Sequence, residues 1–84
     1  MPYAQKHSTT LATMKKVHNM ASDADTRYDS AMDKLLEFYN LGHTTRMLKY
    51  ICQRVGRETG HGQWFIIAKD LDFWEFFGSY SSAR

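Results

Sequence analysis

The chain has little of several things, and each shortage excludes a class of protein. One cysteine, Cys52, rules out an internal disulfide and a cysteine-rich zinc site. One proline and five glycines in 84 residues are too few for a collagen-like or Pro/Gly-rich disordered chain. No apolar run approaches the ~18 residues that a membrane span needs. The opening Met-Pro-Tyr-Ala-Gln-Lys lacks the apolar stretch of a secretory leader. These shortages predict a soluble, intracellular and cytoplasmic protein with no membrane partner. There is no Gly-x-Ser-x-Gly elbow, and Thr59-Gly-His-Gly62 lacks the lysine and the length of a phosphate loop. His7, His18, His43 and His61 share no regular spacing with one another or with Cys52, so no metal site and no Cys-His nucleophile is indicated. The expectation is a non-enzymatic chain with no cofactor.

What is present is ordinary globular material, 43% apolar and 24% charged, long enough for one domain. So short a chain buries a small share of its surface, and dimerisation or partner binding would add to its stability. The net charge of +2 is unevenly spread. Residues 1–21 hold Lys6, Lys15 and Lys16 and no acid, whereas residues 22–42 hold Asp23, Asp25, Asp29, Asp33 and Glu37 against Arg27 and Lys34. Residues 43–62 turn basic again, with Arg46, Lys49, Arg54 and Arg57 against Glu58. A pI of about 8.8 lies just under the range of strongly basic nucleic-acid modules, so electrostatics permits such a partner without requiring one.

The pattern predicts a mainly α fold: three amphipathic helices, then a strand and a short aromatic helix or hairpin, in a single small domain covering residues 1–84. Residues 1–7 read as a loose arm and 79–84 as a frayed tail. Leu11, Met14, Val17, His18 and Ala21 recur at helical spacing and place a first helix over about 9–21, with Ser8 as its cap. His18, on the apolar side, reads as a packed histidine with one hydrogen-bonded nitrogen. Ser22 and Asp25 resemble a capping box opening a second helix, whose face carries Ala24, Tyr28, Ala31, Met32, Leu35 and Tyr39 up to Gly42. A third helix runs over 44–58 from Thr44 or Thr45, hiding Met47, Leu48, Ile51, Cys52 and Val55. Gln63-Trp-Phe-Ile-Ile-Ala68 reads as a buried strand because it is continuous, β-branched and aromatic, with glycines before it. Residues 71–77 are either a final helix capped by Asp70 or a return strand, and the helix is preferred because Leu71, Trp74 and Phe77 lie near one side.

Two stripes and an aromatic block are the candidate binding features. Around the third helix Lys49, Tyr50, Gln53, Arg54 and Arg57 fall within about 80° of Arg46. Guanidinium forks suit carboxylates and phosphates, and tyrosine adds a stacking face. This side could contact nucleic acid, contact an acidic protein surface, or face water. On the second helix Asp25, Asp29, Asp33 and Glu37 rise in line, about 6 Å apart, too far to converge on one metal ion. That row reads as a solvent face or as a seam for a cationic surface, including the basic stripe of a second subunit in a homodimer. Trp64, Phe65, Phe73, Trp74, Phe76 and Phe77 exceed what one small core needs, and Trp74 is taken as an interface anchor.

The function expected from these features is binding. The chain reads as a small protein that modulates or inhibits a larger macromolecular complex, of the size of phage-type inhibitors and antitoxin-like regulators. Arg46, Lys49, Tyr50, Gln53, Arg54, Arg57 and Trp74 are its contact residues, and the partner is a protein or protein–nucleic-acid complex with an anionic surface. The alternative is a helix-turn-helix or winged-helix-like DNA- or RNA-binding regulator that reads with the helix over 44–58.

Overall fold

The computed structural model describes residues 2–73, with side chains from Ser8 onward. Within that range the chain is mainly helical: α1 (Pro2–Met20), α2 (Ala24–Asn40), α3 (Thr45–Thr59) and α4 (Gln63–Asp70). No described helix is long and apolar enough to cross a membrane. One core, built from Met14, Ala31, Met32, Leu35, Leu48, Ile51, Cys52, Val55, Trp64, Ile67, Ala68 and Leu71, draws on every helix.

Three expectations need correction. Helix α1 begins at Pro2, so the backbone of residues 2–7 is helical where a loose arm was expected, and Ser8 lies inside the helix. The N-cap of α2 is Asp23, not Ser22: its Oδ1 accepts the Thr26 amide at 2.8 Å. That bond holds the carboxyl of Asp23 below its usual range and satisfies an amide the helix would otherwise leave open. The third correction is the largest. Residues 63–68 are the body of helix α4, and no strand occurs among the described residues. Trp64, Ile67, Ala68 and Leu71 are all buried at helical spacing, while Phe65 and Ile66 stay 43% and 58% exposed. Because the solvent side of α4 is also apolar, its 3.6-residue period is masked and the segment looks uniformly hydrophobic. The strand that could have begun a wing after α3 is therefore replaced by a helix. Leu71–Phe73 form a turn, and most of the expected aromatic helix or hairpin over 71–77, with Trp74, lies outside the described residues.

The α2–α3 connection is set by local hydrogen bonds. Gly42, at φ 108°, lets the His43 amide reach back to the Phe38 carbonyl at 3.0 Å and the Gly42 amide to Tyr39 at 3.1 Å. These are the two bonds of a Schellman stop, and the Phe38 and His43 rings, with centroids 5.0 Å apart, supply the apolar contact that accompanies it. His43 is buried and its Nε2 shares a hydrogen bond with the Thr10 hydroxyl at 3.1 Å, which ties this corner to α1. Thr44 then caps α3, its hydroxyl accepting the Met47 amide at 3.1 Å.

Helix α3 is packed on by the other three. Leu48, Ile51, Cys52, Val55 and Gly56 form its buried side. Gly56 lies under Phe65, and a Cβ there would stand 2.8 Å from the ring. Lys49, nearly two turns earlier, pairs with Asp72 beyond α4. These contacts run in opposite chain directions, so α4 and the turn after it lie antiparallel along one flank of α3.

Gly42→Ala tests the corner. The substitution forces an L side chain into a positive-φ conformation and should lower stability by about 1–2 kcal/mol, read as a drop in the urea midpoint at unchanged slope.

Candidate functional site: the outer row of helix α3

The buried flank of α3 dictates what faces water. Gln53, Arg57 and Tyr50 lie within about 40° of Arg46, while Lys49 and Arg54 lie about 60° and 80° away on opposite sides. The structure treats the centre and the edges of this stripe differently. At one edge Lys49 donates to both Asp72 carboxylate oxygens, at 3.0 and 3.1 Å. At the other, Arg54 donates to Glu58 Oε2 at 2.6 and 3.1 Å and to the Tyr50 hydroxyl at 2.9 Å, with its guanidinium 5.9 Å from the Tyr50 ring centroid. Lys15 from α1 reaches Glu58 Oε1 at 2.8 Å, so Glu58 joins α1 to α3. These donors, Lys15 first and Arg54 next, pull the Glu58 carboxyl below its usual range.

At the centre, Arg46 and Arg57 are exposed and have no ion-pair partner among the described residues. They stand eleven positions apart, three turns or about 16 Å, so they mark the ends of one straight row. Gln53 and Tyr50 lie between, with Tyr50 40% exposed. Two of the four expected cations are thus engaged by the chain's own carboxylates, and two remain open. On the flank of this row lie two exposed rings: Phe65, expected on a strand and here over Gly56, and Phe73, 79% exposed, next to Asp72 in the turn after α4.

A polar knot behind α3 was only partly anticipated. The Trp64 indole N–H donates to His18 Nδ1 at 3.0 Å, giving His18 the one bonded nitrogen expected of it. Arg27 from α2 donates to Gln63 Oε1 at 2.9 Å and lies 3.3 Å from His61 Nε2, and Gln63 donates onward to the Ala24 carbonyl at 2.7 Å. The rings of His18 and His61 meet edge to face, 5.4 Å between centroids. None of these tertiary partners leaves a signal in sequence spacing. Cys52 is a core residue, its thiol fully buried and pushed up to about 12 by that burial. Among the described residues, no three His, Cys, Asp or Glu side chains converge as metal ligands.

No known family, curated protein or solved structure matches this chain, so its surfaces have to be interpreted from their own chemistry.

The knot makes stability depend on pH. Burial first, then electrostatic repulsion from the neighbouring Arg27 and His61, holds His18 below its ordinary value of 6.5. The unfolded chain therefore binds a proton more readily than the folded one, so stability is full above 6.5 and falls as pH drops through and below it. Protonation also places a hydrogen on Nδ1, facing the Trp64 N–H. His18→Gln, whose side-chain oxygen can still accept from Trp64, should flatten the melting-temperature profile between about pH 7 and 5. An equal slope in variant and wild type would show that His18 is not the titrating group.

Proposed function

We propose that this chain is a small non-enzymatic binding protein that modulates a larger macromolecular complex by laying the outer row of α3 on an anionic protein surface. The observation carrying this reading is the pair of exposed guanidiniums, Arg46 and Arg57, three turns apart with no partner among the described residues. An exposed arginine offers five donors in a planar fork that fits a carboxylate. Tyr50 and Gln53 between them add a ring and an amide. The exposed Phe65 and Phe73 give the same side an apolar margin of the kind that anchors protein contacts.

A protein surface is favoured over nucleic acid because the flanks of the row are anionic. Asp72 and Glu58 lie at its two edges, 50% and 32% exposed, and would approach backbone phosphates with the wrong sign. Against a protein, the same two carboxylates hold Lys49 and Arg54 in place and leave a narrow cationic line to be matched.

Two variants move binding in opposite directions. Arg46→Glu with Arg57→Glu should abolish capture of the partner from a lysate treated with nuclease. Glu58→Gln releases Arg54 and Lys15, so it should tighten capture severalfold with little loss of stability, because exposed ion pairs contribute little. A partner that survives the double reversal would remove α3 as the working surface. Recovery of nucleic acid alone, with affinity falling log-linearly in salt, would replace the protein reading by the nucleic-acid one.

A further inference from the structure

Helix α2 carries the complement of the α3 row. Among the described residues, the carboxylates without a hydrogen-bond partner are Asp25, Asp29 and Asp33, and all three lie on one line of α2 at four-residue spacing. Every other described carboxylate accepts from this chain: Asp23 caps α2, and Glu37, Glu58, Asp70 and Asp72 each take a side-chain donor. Like charges at this spacing repel by a few tenths of a kcal/mol per pair, and among the described residues no cation pairs with these three. The three open carboxylates span about 12 Å, against about 16 Å from Arg46 to Arg57, and Glu37, paired with Lys34, lies one turn further on.

The far end of the acidic line borders a groove. Between α1 and α2 lies a cleft of about 440 Å³ with Val17, Met20 and Ala21 on one side and Ser30, Asp33, Lys34 and Glu37 on the other; Lys34 pairs with Glu37 at 2.9 Å, which leaves Asp33 as the open charge of this wall. Met20 is 77% exposed, an unusual position for so apolar a side chain. An apolar floor beside the open carboxylate of Asp33, with Asp29 and Asp25 continuing along α2, suits a helix with an aromatic residue between two cations. The outer row of α3 has that form: Arg46, Tyr50 and Arg57. The remaining unpartnered described cations, Lys16 on α1 and Lys69 on α4, form no such row.

We propose that the α1–α2 groove is the docking site for the α3 outer row of a second copy of this chain. In this assembly Arg46 and Arg57 meet the acidic line of the second copy, and Tyr50 seats between its Val17 and Met20. Each copy carries both surfaces, and the proposed arrangement is the two-fold one, in which the contact is made twice and the assembly closes as a dimer instead of growing into a filament. The proposal rests on the reading of α3 as a docking surface and names one anionic surface it fits.

Charge exchange tests it. Asp29→Arg with Asp33→Arg gives a chain cationic on both surfaces, and Arg46→Glu with Arg57→Glu gives one anionic on both. Sedimentation equilibrium of wild type should show a dimer that weakens as salt is raised. Each double variant alone should be monomeric, with its dimer constant weakened about tenfold or more, and an equimolar mixture of the two should associate. A wild type that stays monomeric at low salt overturns the proposal, as does a dimer indifferent to both reversals. Circular dichroism checks that each variant is helical. Should one not be, Asp33→Asn and Arg57→Gln, which only neutralise, must each still weaken the dimer about threefold. The two readings fail separately. Asp29→Arg/Asp33→Arg leaves α3 intact, so it must lose self-association while retaining any foreign partner, and a monomeric wild type leaves foreign capture untouched.

Discussion

A buried indole with a single N–H to satisfy constrains this fold more than any other group. Trp64 is fully enclosed, and an unpaired donor at that depth would cost on the order of 1–3 kcal/mol. His18 is the acceptor, so α1 must cross α4 at that point with its imidazole neutral and its Nδ1 inward. The helical form of 63–70 puts Ile67, Ala68 and Leu71 on the same side as the indole and brings Phe65 over Gly56 of α3. Arg27, Gln63 and His61 extend the polar contact and bring the start of α2 to the turn between α3 and α4. The four helices are joined at one end by hydrogen bonds and along their lengths by apolar packing.

Helices α2 and α3 were legible in the sequence because each has one apolar and one charged side, so period and burial agree. The Thr44 cap, the stop near Gly42 and the end at Gly60 were legible for the same reason: each depends on a residue type with a local mechanism. Helix α4 was not. Phe65 and Ile66 face solvent, and a segment apolar on both sides has no period to read. β-Branched propensity then points the wrong way, since packing against α3 decides the outcome. Asp23 took the cap from Ser22 because its carboxylate reaches the Thr26 amide, a difference of one residue that pattern alone does not resolve.

The candidate site was legible as a stripe, but not as a stripe with a neutralised border. The Arg54–Glu58 pair sits four residues apart on one helix and could be anticipated. The Lys49–Asp72 and Lys15–Glu58 pairs depend on how α4 and α1 fall against α3, which is tertiary information. The result is a sorting of charge: edge cations stabilise the contacts between helices, and those at the crest, Arg46 and Arg57, have no task within the described fold.

Cys52, the chain's single thiol, is enclosed at the centre of α3, and burial leaves almost none of it as thiolate at neutral pH. An oxidant therefore finds no thiol on the folded surface, and the exposed thioether of Met20 yields a sulfoxide, which forms no bridge. Two folded copies have no route to a disulfide, and whatever holds them together is non-covalent.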